Sequence, residues 1–238
     1  MQLFDHTSEA PAENLALDEV LIVGAEAGKF GEVLRLWESP VYFVVLGAGG
    51  AVDKEADTAA CDAAGVPILR RCSGGGTVVQ GPGCLNYTLL LDRDARPEMG
   101  TIEHTNTHVL ARVAHALEHC GVPVKVDGIS DLTVDGLKFS GNAQRRRKRW
   151  ILFHGTVLHS FDLALIAKYL REPEKQPDYR HHRSHRDFVT NVVLDPVQFK
   201  RELAKYWGAE GDLTAWPEAE MQKLVDEKYR TEKWNRAF

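Results

Sequence analysis

The 238 residues contain no Cys-x-x-Cys pair, no apolar run long enough to span a membrane and no internal repeat. Cys61, Cys72, Cys84 and Cys120 stand apart, which argues against a zinc knuckle or a redox dithiol and leaves free thiols as the expectation. The start, Met1 to His6, lacks the basic and apolar stretches of a secretory signal, so a cytoplasmic protein with no membrane partner is expected. The familiar nucleotide loops are missing too. There is no Gly-x-x-x-x-Gly-Lys-Ser/Thr, and no Gly-x-Gly-x-x-Gly leads from a strand into a helix, which argues against P-loop and Rossmann folds. A net charge of -5 argues against a general nucleic-acid binder. Glycine and proline are scattered, and 44% hydrophobic with 26% charged residues is ordinary for one core, so residues 1–238 read as a single domain.

What is present centres on Arg70-Arg71-Cys72-Ser73-Gly74-Gly75-Gly76-Thr77, with Lys138-Phe139-Ser140-Gly141-Asn142-Ala143-Gln144 as its distant partner. Apolar residues at 66–69 and 77–79 flank the glycines, so the loop is expected to join two strands. Three glycines bare the backbone amides, and two arginines and a serine add donors, a combination suited to phosphate or carboxylate. No Ser-His-Asp pattern or metal set is evident. A fixed Lys and Arg would offset the repulsion between a carboxylate and the α-phosphate it attacks, so nucleotidyl transfer is one reading among several. The same features also occur in a plain tight turn and a solvent-facing lysine.

Around these motifs the periodicities predict an amphipathic helix over 11–27, strands over 32–37 and 41–46, and a helix over 53–64. They go on to predict a strand over 84–91 and a helix over 101–120. On that helix His104, His108, His115 and His119 fall opposite the apolar stripe, so a polar surface is expected rather than a metal site. Asp135-Gly136 marks a hairpin turn just before Lys138, and the basic run 145–149 leads into a strand over 150–158. A short helix over 160–169 follows. Residues 172–190 lack periodicity and read as a long functional loop, with helices over 196–207 and 217–234 closing the chain.

The segments 70–78, Gly83-Cys84-Leu85-Asn86-Tyr87, Asp131-Leu132, 136–143 and His154-Gly155-Thr156-Val157-Leu158 together resemble the lipoate-protein ligase family in order and spacing. The likeness extends to Asp18-Glu19, Val189-Thr190-Asn191 and Trp234-Asn235, and so over nearly the whole chain. It implies an α/β (α+β) catalytic domain, a mixed sheet flanked by helices, related to biotin ligases and class II aminoacyl-tRNA synthetases. It implies lipoyl-adenylate formation from lipoate, ATP and Mg²⁺, then transfer to a lysine of a lipoyl domain or glycine-cleavage H-like carrier. In the matching motifs Lys138 would be catalytic, contacting the acyl carboxylate and α-phosphate. Arg70, Arg71, Ser73, Gly74, Gly75, Gly76, Thr77, Val78 and Val79 would hold nucleotide and acyl chain. Asn86, Asp131, Ser140, Gly141, Ala143, Gly155 and Thr156 would complete the site, with His154 near the acyl pocket and Arg183 of the long loop meeting phosphate. No protein metal ligand is implied.

Two departures stand out. Residues 47–50 lack the larger polar residues of many members, and the small C-terminal domain of the long ligases is not matched, so a separate accessory chain is a further expectation. The rival within the fold is an octanoyltransferase fed by acyl carrier protein. Its acyl-enzyme cysteine precedes the lysine segment in one branch, where Asp127 to Asp131 stand here, and follows it in the other, where no cysteine follows Cys120. A non-catalytic homologue that binds carrier or adenylate is the third reading. The basic run 145–149 fits either a docking surface for an acidic carrier or a solvated hairpin.

Overall fold

Residues 84–92 and 150–158 are apolar at most positions, the pattern of strands covered on both faces. In the computed structural model, which describes residues 1–238, they pair at the centre of the larger sheet. In chain order the first strands are β1 (Gln2–Asp5), β2 (Val33–Trp37), β3 (Phe43–Leu46), β4 (Ile68–Arg70) and β5 (Val78–Gln80). The rest are β6 (Cys84–Asp92), β7 (Lys125–Asp127), β8 (Asp131–Val134), β9 (Leu137–Arg146) and β10 (Trp150–Leu158). Seven strands run β1-β2-β6-β10-β9-β8-β7, antiparallel except for β1 with β2. A separate three-stranded sheet, β4-β3-β5, carries the glycine loop between its outer strands.

The helices are α1 (Pro11–Glu26), α2 (Val52–Glu55), α3 (Thr58–Ala64), α4 (Ile102–His119) and α5 (Ala164–Tyr169), followed by α6 (His185–Phe188), α7 (Pro196–Trp207), α8 (Glu218–Leu224) and α9 (Glu232–Asn235). Side chains alternate across β6 and β10. Leu90 and Leu152 pack with Leu17, Leu21 and Tyr229 on one face, and Leu89 and Phe153 with Val113, Leu117 and Phe199 on the other. This double cover explains the apolar runs. No helix is long and apolar enough to cross a membrane.

Four local expectations are corrected. The first helix is not amphipathic: twelve of the sixteen residues of α1 are buried, because the C-terminal helices cover the face away from the sheet. The helix read over 53–64 breaks at Ala56, where the chain straightens to pair with Leu170 and Asp57 N–H donates to Tyr169 O; the Asp57 carboxylate then caps α3. The helix read over 217–234 widens into a π turn over Val225–Tyr229 and restarts at Thr231. On α4, His104, His115 and His119 are exposed as expected, but His108 is half-buried against Trp207 of α7. The basic run is largely engaged within the fold: Arg145 bonds Glu19 and Cys72 O, Arg146 bonds the carbonyls of 99–101, and Arg149 pairs with Asp92.

The π turn has a purpose in packing. Lys228 Nζ and Tyr229 Oη both donate to Glu19 Oε2 of α1, at 2.6 and 2.7 Å, although neighbours on a regular helix diverge by about 100°. Burial raises the Glu19 carboxyl, but these hydrogen bonds overcome it and hold the group below the usual glutamate range. A carboxyl held low contributes stability above its unfolded value near 4.5, and that stability is lost as pH falls through the folded value. Denaturant midpoints should therefore drop on acidification below about pH 4.5, and Glu19→Gln, less stable at neutral pH, should show a shallower drop.

Candidate functional site

Strands β4 and β5 flank β3, and residues 71–77 bridge their ends. Arg71 fixes the loop from beneath, donating to Gly74 O at 2.6 Å, Gly76 O at 2.9 Å and Ser73 Oγ at 3.1 Å. Burial lowers its pKa to about 10, so it stays charged at neutral pH. Gly75 lies at φ +91°, and a Cβ there would meet the Arg71 guanidinium at 2.8 Å. Ser73 Oγ lies 2.6 Å from His154 Nε2, His154 Nδ1 lies 3.1 Å from Asp18 Oδ2, and Asp18 pairs with buried Arg35 at 2.8 Å. The Asp-His-Ser pattern that is not evident along the sequence is thus assembled in space. Ser73 is buried away from the cavities and accepts from Arg71, so the line braces the loop rather than arming a nucleophile.

The second half of the site is the β8–β9 hairpin, which turns at Asp135 (φ +51°) and Gly136 (φ +74°) as Asp-Gly chemistry demands. Lys138 Nζ pairs with Asp131 Oδ1 across it at 2.8 Å, and the Lys138 side chain passes over Gly141, where a Cβ would lie 3.1 Å from Cε. One level along the sheet, Tyr87, Gly155 and Asn142 stand in register on three adjacent strands. Tyr87 Oη donates to Asn142 Oδ1 across Gly155, where a Cβ would fall on that bond. Asn142 Nδ2 then donates to Ser130 O at 2.7 Å and holds the turn before Asp131.

Two cavities meet here, of about 900 and 520 Å³. Gly76, Thr77, Val78, Asp131, Lys138, Gly141 and Thr156 border both. Arg71, Gly74, Gly75, Asn86, Ala143, His154 and Gly155 line the larger alone, and Val79 and Ser140 the smaller. Because Val44 N–H donates to Pro67 O on the β4 side, the Val44–Val79 pair is not hydrogen-bonded, which leaves Val79 N–H and C=O on the outer edge of β5.

Besides Ser73, two expected residues lie elsewhere. Arg70 alternates to the opposite face from Arg71 and is fully buried, donating to Gly47 O, Gly50 O, Trp234 O and Asn235 O; it joins the turn after β3 to the C-terminal residues. Arg70→Ala would strand those carbonyls, so an unfolding free energy lower by about 3 kcal/mol or more is expected from urea titration. Arg183 donates to Arg180 O, Gly136 O and Tyr179 O and stacks on Phe188, so it braces the long loop and does not reach the cavities. From that loop Lys175 and Pro177 border both.

Sequence reasoning assigned no role to Asp18, Trp37, Gln80 and Thr88 on the wall of the larger cavity, nor to Glu55, which takes the Thr77 hydroxyl at 2.5 Å, nor to Tyr179. Asp18 alone carried a signal, as part of the Asp18-Glu19 pair to which the family likeness extends.

A lysine and a cradle of loop amides at the junction of two cavities define a site that stabilises negative charge between two ligands. The chain matches the model of the lipoyl protein ligase A/B catalytic domain over residues 10–200 and belongs to that family. It is 32% identical to the "Probable lipoate-protein ligase A" of Mycoplasma pneumoniae over 67% of this chain and 46% of that protein, so it spans about half of that relative's length. It is 26% identical to octanoyltransferase LipM of Symbiobacterium thermophilum over 98% of this chain and 97% of that one. Its fold is shared with one chain of an archaeal bi-partite lipoate protein ligase from Thermoplasma acidophilum, described with its E2 lipoyl domain: TM-score 0.84, 22% identity, 99% of this chain and 95% of that one covered.

Proposed function

We propose that this chain is the catalytic domain, over residues 1–238, of an ATP-dependent lipoate-protein ligase. The observation that carries the reading is the position of Lys138 where the two cavities join, on a wall shared with Gly76, Thr77 and Val78. A lipoate carboxylate entering from the larger cavity and an ATP α-phosphate entering from the smaller meet at its ammonium. The carboxylate oxygen bonds to α-phosphorus as pyrophosphate leaves, and Lys138 and the loop amides offset the charge that develops. A carrier lysine amine then attacks the acyl carbon, giving the amide, AMP and a proton.

In this reading the purine lies between Leu158, Ile166 and Leu170 and pairs with the free Val79 N–H and C=O, which match the acceptor N1 and donor N6 of adenine. The acyl chain runs toward Leu15, Trp37 and His154. Mg²⁺ would be carried by the ATP phosphates, with Glu55, Asp131 and Glu174 the carboxylates on the wall of the smaller cavity; bound there, it would supply further neutralisation of phosphate charge. A lipoyl-domain or H-like carrier, an accessory chain as in the bi-partite Thermoplasma system, and a cytoplasmic location complete the proposal.

The full-length match to an octanoyltransferase supports the second reading, acyl transfer through a cysteine. Against it, the one thiol bordering either cavity is Cys84, which is 1% exposed and pushed far up by burial, while burial raises Cys72 to about 11. Mass spectrometry of the protein with lipoate, ATP and Mg²⁺ separates the two. Lipoyl-AMP and pyrophosphate are expected; an octanoyl thioester formed from octanoyl-carrier protein without ATP would replace this reading. Carrier binding without either product would mark a non-catalytic homologue.

A further inference from the structure

Residues 172–190 form a wall common to both cavities, with Lys175 and Pro177 bordering each. The segment is tied to Lys138 by a parallel bridge from Val189, in which Thr190 N–H donates to Lys138 O at 2.9 Å. In the middle of the segment, Tyr179 Oη donates to Asp131 Oδ2 at 2.6 Å, while the other oxygen of the same carboxylate accepts from Lys138 Nζ at 2.8 Å. The tyrosine ring lies on Gly128, at φ +60°, where a Cβ would stand 3.0 Å from Tyr179 Cε1. Burial, then the hydrogen bond to Asp131, push the phenol well above its ordinary pKa, so it remains a donor at physiological pH.

A carboxylate with one partner swings about its Cβ–Cγ bond; one held at both oxygens by fixed donors does not. We propose that Tyr179 is a positioning residue that aims Asp131 at Lys138 and, through the same hydrogen bond, pins the 172–190 segment over the two cavities. Charge assistance makes this bond stronger than a neutral one. A substrate anion arriving at Lys138 displaces only Oδ1, so the wall stays closed during reaction. The kinetic consequence rests on the ligase reading; the structural one does not.

The test pairs Tyr179→Phe, which keeps the ring on Gly128 and removes the hydroxyl, with Gly128→Ala, which keeps the hydroxyl and displaces the ring. Amide hydrogen exchange across residues 174–183 of the free protein should be about tenfold faster in both. Asp131→Asn, which keeps an amide acceptor but loses the charge that strengthens the bond, should exchange at a rate between those of wild type and Tyr179→Phe. For lipoyl-AMP formation, Tyr179→Phe should raise the KM for ATP about tenfold with kcat within about threefold. Unchanged exchange in both Tyr179→Phe and Gly128→Ala overturns the inference, as does an unchanged KM in a wild type that forms adenylate. Should the wild type form no adenylate, the ligase reading fails and the exchange rates alone decide whether Tyr179 pins the segment.

Discussion

Lys138→Ala should form lipoyl-AMP about 10²–10³-fold more slowly than wild type while melting within a few degrees of it. The size of the loss follows from place and charge. Lys138 supplies the one ammonium borne on a sheet strand where the two cavities join, whereas Lys175, which borders the same space, sits on the long loop. No main-chain amide brings a full positive charge to that junction. The small effect on stability follows from exposure: the Lys138–Asp131 pair is partly open to solvent, and such pairs are worth at most about 1 kcal/mol. Lipoate-dependent ATP–pyrophosphate exchange alongside thermal melts checks both halves.

Gly47→Ala should lower adenylate formation about 10²-fold, because a displacement near 1 Å suffices for such a loss. A Cβ on Gly47 would stand 2.0 Å from Gly75 O, backbone against backbone, so the glycine loop itself must move. Its anchor cannot follow, since Arg71 holds Gly74 O and Gly76 O from a buried position in the small sheet. Overpacking of this kind costs about 1–3 kcal/mol in stability as well. Gly49→Ala, whose Cβ would meet nothing within 4 Å, is the matched control and should behave as wild type in the same exchange assay. The same contact explains why Gly47 carries no side chain: the start of the turn after β3 is packed against the loop it supports.

The strand-loop-strand around the glycines and the Asp135-Gly136 hairpin were legible because each is dictated locally, by β-branched runs and by a turn that needs positive φ. Arg70 and Arg71 show the limit. Neighbours on a strand point to opposite faces, but which face meets a cavity depends on the other sheet and on the C-terminal residues, more than 160 positions away. The breaks at Ala56 and Val225–Tyr229 have the same origin. Local helical propensity is overridden by a backbone pairing with Leu170 in one case and by the reach to Glu19 in the other. The roles of Asp18, His154 and Ser73 emerge only when α1, β10 and the loop come together, since no spacing along the chain announces a line of three residues drawn from three elements.

The most direct measurement is the intact mass of an apo lipoyl-domain carrier after incubation with this protein, free lipoate, ATP and Mg²⁺, with ATP omitted from a parallel sample. A gain of one lipoyl group that requires ATP is the expected result. No gain from lipoate and ATP, together with octanoyl transfer from octanoyl-carrier protein in the absence of ATP, would contradict it.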